Sequence, residues 1–314
     1  MTDKPDKPTI LVVGSANMDL AVRASRLPAP GETVLGGSFV CSPGGKGANQ
    51  AVAVARLGGR CQFIGRVGED AFGRTLLAGM KAEGIDCAHL MVTPEAPTGV
   101  AVIVVDGKGE NAIVVASGAN ALLTPDDLFA CGPAFARAAI LLLQLELPLP
   151  TIRAAIDLAR RHGCKIVLDP APAMNPMPDE LLRVDVISPN FVEFQTITGV
   201  KEFEERVYKN IASDLIGRGA SAAVLKLGPR GCLVVMADGH FYRVGPYKVS
   251  VVDTTAAGDA FTAAFAVAIA RGDNYHQAAK FANAAGALAC TRMGAQSAMP
   301  TAAEVRMLME DQPL

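Results

Sequence analysis

The chain has 314 residues, with 29 basic and 31 acidic side chains and a formal net charge of −2. That balance leaves no electrostatic footprint for nucleic acid, and a hydrophobic content of 50% is too high for disorder. No uninterrupted apolar run reaches the roughly 20 residues that span a bilayer, so neither nucleic acid nor a membrane is expected as a partner, and the length suits one large α/β domain or two ordinary ones.

In chain order, residues 1–9 are charged and Pro-containing, with no apolar h-region. They read as a frayed tail and not as a signal peptide. Residues 10–13 form a continuous apolar run ending at Gly14, the pattern of a strand buried on both faces. A helix over 48–57 stops at Gly58-Gly59, a strand covers 62–65, and a helix over 71–83 stops at Gly84. The apolar stretch 138–149 is interrupted by Gln144, Glu146 and Pro148, so it reads as a core strand over 140–145. Next come a helix over 150–161, strands over 165–169 and 186–188, a helix over 203–218 and a strand over 222–227. A hairpin around Ala237-Asp238-Gly239-His240 precedes helices over 257–270 and 275–292. This alternation implies an α/β fold: a mostly parallel central sheet with helices on both faces.

One part breaks the alternation. The β-type runs 100–105 and 111–116 flank Asp106-Gly107-Lys108-Gly109-Glu110, a hairpin signal, and residues 20–40 are strand-like and turn-rich. The two regions, about 18–43 and 98–118, are expected to pair into a small antiparallel β lid outside the main sheet. The seven cysteines (Cys41, Cys61, Cys87, Cys131, Cys164, Cys232 and Cys290) are odd in number and contain no CxxC pair. They read as free thiols of a cytoplasmic protein, without a disulfide framework or a zinc site.

The chemistry-bearing residues fall at turns. Asp253-Thr254-Thr255-Ala256-Ala257-Gly258-Asp259 opens a helix of small residues. Such a turn leaves backbone N–H groups unpaired, an anion site reinforced by the helix dipole. An acid inside it suits a general base acting on a hydroxyl while the amides hold a phosphoryl group. Taken alone, the turn reads first as an ordinary helix start, its Asp complementing the dipole. Gly44-Gly45-Lys46-Gly47-Ala48-Asn49-Gln50 is not a P-loop, because Gly47 follows Lys46 where Ser or Thr is needed. The turn lets backbone approach a ligand, with Lys46 and Asn49 as donors to a polyol, or it is simply a tight loop. Asn17 and Asp19 follow the first strand, Glu146 follows strand 140–145, and Asn190 and Glu193 follow strand 186–188. Each alone reads as a loop or capping residue. Together they occupy the strand ends where α/β folds bind ligands.

Two signatures, Gly45 through Asn49 and Ala51 to Gly58 and Gly68, and residues 253–259 with their small-residue helix, resemble the ribokinase family, the PfkB-type carbohydrate kinases. The resemblance covers essentially the whole chain after the tail. It implies a ribokinase-like fold and ATP-dependent phosphorylation of D-ribose at its primary hydroxyl, giving D-ribose 5-phosphate. Deoxyribose, another pentose or a nucleoside are alternative acceptors, and a sugar or nucleotide sensor on a kinase fold is the non-enzymatic one.

Residue by residue, the resemblance implies Asp259 as base and Ala256, Ala257 and Gly258 as anion-hole amides, Ala256 standing for the more usual Gly because only its N–H is needed. Asn17, Asp19, Gly45, Lys46, Gly47, Ala48, Asn49 and Glu146 would hold the sugar. Asn190, Lys226, Leu227, Gly228, Pro229, Arg230, Gly231, Gly258 and Asn283 would hold the nucleotide, with Asn190 and Glu193 ordering Mg²⁺ through water. Asp253, Thr255, Ala289, Arg292 and Gly294 would bind a monovalent cation, K⁺. Ala298 stands where close relatives supply a Ser hydroxyl to that cation, which implies weaker K⁺ binding unless Ser297 or water substitutes. Lys226 stands where a hydroxyl residue is common, and would reach a phosphate or point to solvent. A homodimer through the β lid is also implied.

Overall fold

The computed structural model describes residues 8–200 and 205–314. Thirteen strands and ten α-helices follow one another within them. The first half contains β1 (Thr9–Val13), β2 (Asn17–Arg23), β3 (Phe39–Gly44), α1 (Lys46–Arg56), β4 (Arg60–Gly68), α2 (Ala71–Ala82), β5 (Asp86–Thr93), β6 (Gly99–Val105), β7 (Asn111–Ala116), α3 (Pro125–Ala130), α4 (Gly132–Arg137), β8 (Ala138–Leu143) and α5 (Leu149–Arg161). The second contains β9 (Lys165–Leu168), β10 (Val186–Ile187), α6 (Phe191–Thr198), α7 (Glu205–Gly217), β11 (Ala222–Lys226), β12 (Cys232–Met236), β13 (Phe241–Val244), α8 (Ala257–Ala270), α9 (Tyr275–Ala289) and α10 (Ala302–Asp311).

The main sheet runs β13-β12-β11-β10-β9-β8-β1-β4-β5, parallel except for the antiparallel edge pairs β11–β12 and β12–β13. Side chains alternate across it. Ile10 and Val12 of β1 enter one buried cluster, Leu11 and Val13 the other, and Ile140 and Leu142 separate from Leu141 and Leu143 in the same way. Strands apolar at every position are therefore the sequence signature of a sheet covered on both faces. Helix α8 is apolar around most of its circumference because it is buried against α1, α9 and the sheet. The chain leaves β1 toward β4 on one side and returns through β8 on the other, so the strand order reverses between β1 and β8. At such a switch point the connections diverge and leave a crevice beyond the strand ends.

The second sheet runs β3-β2-β6-β7. Its outer pairs are antiparallel, but β2 and β6 pair in parallel, so it is mixed and not purely antiparallel. The reason is connectivity. Strand β6 reaches β2 only after the chain has passed through β4, α2 and β5, which allows it to enter in the same direction.

Other differences are local. Thr9 belongs to β1, and residues 1–7 of the expected tail lie outside the described residues, as do positions 203–204 of the expected helix 203–218. The edge strand β5 and helices α3, α4, α6 and α10 lie where no element is anticipated. Their signals are short: α3 and α10 begin with capping boxes at Thr124/Asp127 and Thr301/Glu304, three residues apart. All seven cysteines are free, and no helix among the described residues is long and apolar enough to cross a membrane.

Candidate active site

The ends of β1, β8, β9, β10 and β11 open on the N-termini of α1 and α8. The glycine-rich turn before α1 is shaped by contact. Gly45 has φ 86° and a Cβ there would stand 2.6 Å from the Asn17 amide nitrogen, while one on Gly47 would stand 2.6 Å from the Gly14 backbone. Only glycine lets α1 begin this close to the end of β1. Asn49 and Gln50 consequently point at Asp259 in the first turn of α8: Asn49 Nδ2 donates to Asp259 Oδ2 at 3.0 Å and Gln50 Nε2 to Oδ1 at 3.1 Å.

Asp259 is only 5% exposed. Burial pushes its carboxyl above the usual carboxylate range, against the Lys46 ammonium and with the Asp169 carboxylate, while the bonds from Asn49 and Gln50 pull back. Asp19 rises to about 7, first through burial and then through the negative charges of Glu146 and Asp259. For Lys46, burial opposes the charge, but Asp259, Asp169, Glu146 and Glu193 outweigh it and strengthen the ammonium. Glu146 Oε2 accepts from Ser15 Oγ and from the Lys46 amide. Asn17 Oδ1 accepts from Asn120 Nδ2 at 2.8 Å. Asn49 Oδ1 is buried without a partner, an acceptor left for a hydroxyl.

Before α8, Ala256 has φ 57°, the one non-glycine residue with positive φ among those described. The left-handed turn aims backbone amides outward. No acceptor among the described residues meets the amides of Ala256, Gly258 or Asp259, whereas the Ala257 N–H makes a long bond to the Thr254 carbonyl at 3.3 Å. The free set therefore keeps Ala256 and Gly258 of the expected trio and has Asp259 in place of Ala257, whose N–H closes the turn. Nor is Ala256 the equal of Gly there, since its Cβ costs about 1–2 kcal/mol in this conformation.

On the far side of Gly258 lies a cleft of about 640 Å³, lined among others by Asn190, Lys226, Gly228, Pro229, Gly231 and Asn283. Asn283 Nδ2 donates to the Gly245 carbonyl at 2.6 Å, tying down the cleft's rim. Leu227 and Arg230 do not line it: Leu227 is buried in the core and the Arg230 guanidinium lies over the Phe191 ring. Lys226 does not point to solvent. It pairs with Asp169 at 2.9 Å.

Asn190 and Glu193 form the capping box of α6. The Asn190 amide and Nδ2 donate to the Glu193 oxygens at 2.6 and 2.7 Å, and Glu193 N donates to Asn190 Oδ1 at 2.8 Å. Burial, first, raises the Glu193 carboxyl, so a nearby cation would be welcome. No cluster of three or more His, Cys, Asp or Glu side chains able to hold a metal occurs among the described residues. That donor set fits Mg²⁺, which keeps its waters and takes one or two carboxylates together with substrate phosphates.

A second ion position is suggested around Asp253, whose carboxylate accepts from the Thr255 amide and hydroxyl and from the Gly294 amide at 2.7–2.9 Å. No donor among the described residues reaches the carbonyls of Thr255, Ala289, Arg292 or Gly294. Unpaired carbonyls beside a carboxylate fit a monovalent cation. Ala298 is buried, and the Ser297 hydroxyl lies against Gly294 while donating to the Met293 carbonyl at 2.9 Å.

Several of these groups escape a reading by motif. Gln50 bridges Asp259 and Asp169, donating to Asp169 Oδ2 at 3.0 Å, and its own Oε1 accepts from Gln144 Nε2 at 2.6 Å. Thr262, also in contact with Asp169, is the one polar side chain of α8 besides Asp259. Asp169 follows β9, and the strand-end rule used for its neighbours points to it as well. Asn120 leaves no comparable local signal.

A buried carboxylate held by two amides, free backbone N–H groups beside it and a cleft of about 640 Å³ at Gly258 suit a kinase that phosphorylates a hydroxyl. Comparison with known proteins narrows the class. The chain belongs to the pfkB family of carbohydrate kinases, which it matches over residues 7–302. It is 38% identical over 303 residues to a ribokinase of Haemophilus influenzae, covering 96% of this chain and 98% of that one. It is 31% identical over 293 residues to a deoxyribokinase of Salmonella typhi, covering 93% and 95%. Its fold is similar to that of Arabidopsis thaliana ribokinase complexed with ribose and ATP, with a TM-score of 0.89, 32% identity, and 97% and 99% of the two chains covered.

Proposed function

We propose that the protein transfers the γ-phosphoryl group of ATP to the primary hydroxyl of D-ribose, giving D-ribose 5-phosphate and ADP. The observation that carries this reading is Asp259: buried, raised in pKa, held on both oxygens by Asn49 and Gln50, and adjacent to partnerless amides. In this reading Asn17, Asp19, Lys46, Asn49 and Glu146, with the backbone of Gly45, Gly47 and Ala48, orient the sugar. Asp259 accepts the hydroxyl proton as the oxygen attacks phosphorus. The amides of Ala256 and Gly258 receive charge on the transferring group. Asn190, Lys226, Gly228, Pro229, Gly231 and Asn283 line the nucleotide cleft.

Asn190 and Glu193 would hold Mg²⁺, and Asp253 with the carbonyls of Thr255, Ala289, Arg292 and Gly294 would hold K⁺. When bound, these ions supply positive charge that offsets the charge of the phosphates. The second sheet serves as lid and as the surface of a homodimer. Phe39, Val40, Val102, Ile113, Val114 and Val115 remain exposed on it, more apolar surface than a small free sheet ordinarily presents. Free thiols throughout agree with a cytoplasmic location.

Coupled ADP release measured with ribose, deoxyribose, fructose and adenosine tests the assignment. Ribose is expected to give the highest kcat/KM. A higher value for deoxyribose would reassign the acceptor, and no sugar-dependent release would refute the kinase reading.

A further inference from the structure

A buried lysine stands beside the free amides of α8. Lys226 Nζ lies 2.9 Å from Asp169 Oδ1 and 3.3 Å from Thr262 Oγ1. It is also 3.4 Å from where a Cβ on Gly258 would stand, so it rests against the residue whose amide lacks an acceptor. An ammonium carries three N–H donors. Asp169 and Thr262 take two, which leaves one for a ligand in the cleft that Lys226 lines. The side chain is only 8% exposed, so its charge is little screened by solvent.

The holding groups are themselves fixed. Thr262 Oγ1 donates to the Gly258 carbonyl at 3.0 Å, and Gln50 Nε2 reaches both Asp169 and Asp259. A lysine needed only to neutralise Asp169 would have no reason to sit at Gly258 with a donor to spare.

We propose that Lys226 is a catalytic residue that donates to the phosphoryl group in transit, with Asp169 and Thr262 positioning it. The proposal rests on the kinase reading above. In the step, the bond from the sugar oxygen to phosphorus forms while the bond from phosphorus to the ADP oxygen breaks. ADP leaves with that electron pair, and the sugar proton goes to Asp259. Charge spreads over the oxygens of the transferring group, and Lys226 Nζ and the Gly258 amide meet it from adjacent positions.

The test compares the wild-type chain, Lys226→Met and the double variant Lys226→Met/Asp169→Asn. Readouts are kcat, KM for ATP, and calorimetric binding of ADP alone and of ADP with aluminium fluoride and ribose. Lys226→Met is expected to lower kcat by about 10²–10³-fold, the cost of removing one donor to the developing charge. ADP affinity should stay within about threefold, because the contact is made in the transition state and not to bound ADP. Aluminium fluoride binding should fall in step with kcat. In the double variant the Asp169 carboxylate that Lys226 would leave unpaired is a neutral amide, so it should melt above Lys226→Met, yet its kcat should remain as low. Recovery of kcat in the double variant would overturn the proposal and leave Lys226 as a charge partner of Asp169. Equal loss of ADP and aluminium fluoride binding would overturn it too. A wild-type chain without ribose-dependent ADP release would overturn the kinase reading as well.

Discussion

Replacing Asp259 by Asn tests the centre of the mechanism, because the structure separates its effects on rate and on folding. The amide keeps the shape of the side chain but cannot take a proton. Loss of a general base costs about 10²–10⁴ in rate, or about 2.7–5.4 kcal/mol of barrier at 1.36 kcal/mol per decade. The effect on folding is smaller. Asn keeps one carbonyl oxygen for Asn49 Nδ2 or Gln50 Nε2 and turns its NH₂ toward the other, so one of two bonds is lost. A hydrogen bond to a charged group contributes about 1.5–3 kcal/mol. Against that loss, the raised pKa of Asp259 means that the fold disfavours the negative charge there, and the neutral amide removes that penalty. The two terms oppose each other, so the melting temperature should shift by only a few degrees. Ribose binding by calorimetry should persist, while kcat from coupled ADP release falls at least about a hundredfold. A folded variant with near-normal turnover would refute Asp259 as the base, and loss of ribose binding would make it a binding residue instead.

The same carboxylate sets a pH dependence. Asp259 must be ionised to act, so kcat/KM falls as pH drops through its raised pKa, a limb shared with Asp19 near 7. Because Gln50 lowers the Asp259 pKa, Gln50→Ala should move that limb to higher pH, and a shift to lower pH would contradict the network. Ala256→Gly relieves about 1–2 kcal/mol of left-handed strain but frees the unfolded chain by about 0.4–1 kcal/mol, so thermal melting should rise slightly. Ala256→Val should melt lower than either, and a lower melting temperature for Ala256→Gly would contradict the strain. Titration with KCl against a choline chloride control should activate the enzyme, with weaker affinity because Ala298 offers no hydroxyl, and no response would eliminate the cation position. Val114 is 71% exposed on the second sheet, and Val114→Arg should turn a dimer into monomer by light scattering, whereas a monomeric wild type would remove the interface.

The strands and helices that build the main sheet were legible because their signals are local. β1 is one apolar run, and α8 begins and ends at the residues its small-residue pattern indicates. Strand β5 was missed because an edge strand, with one polar flank, lacks the continuous apolar run of its neighbours. The strand-end rule points to Asn17, Asp19, Glu146, Asn190 and Glu193, which follow β1, β8 and β10 in the chain. The same rule points to Asp169, which directly follows β9, but no local motif says that its partners are Gln50 and Lys226.

The amino-acid sequence by itself determined the α/β alternation, the family signatures and the carboxylate in the first turn of α8. Each of these is written in residues adjacent along the chain. What required tertiary structure was the partner of every buried charge. Gln50, Asp169, Lys226 and Asp259 come from four separate segments and meet only because the parallel strands end on one side of the sheet. Lys226 in particular reads as a solvated or phosphate-seeking lysine until β9 brings Asp169 beside it. Burial makes an unpaired ammonium costly, so its position is fixed by whichever carboxylate the fold delivers.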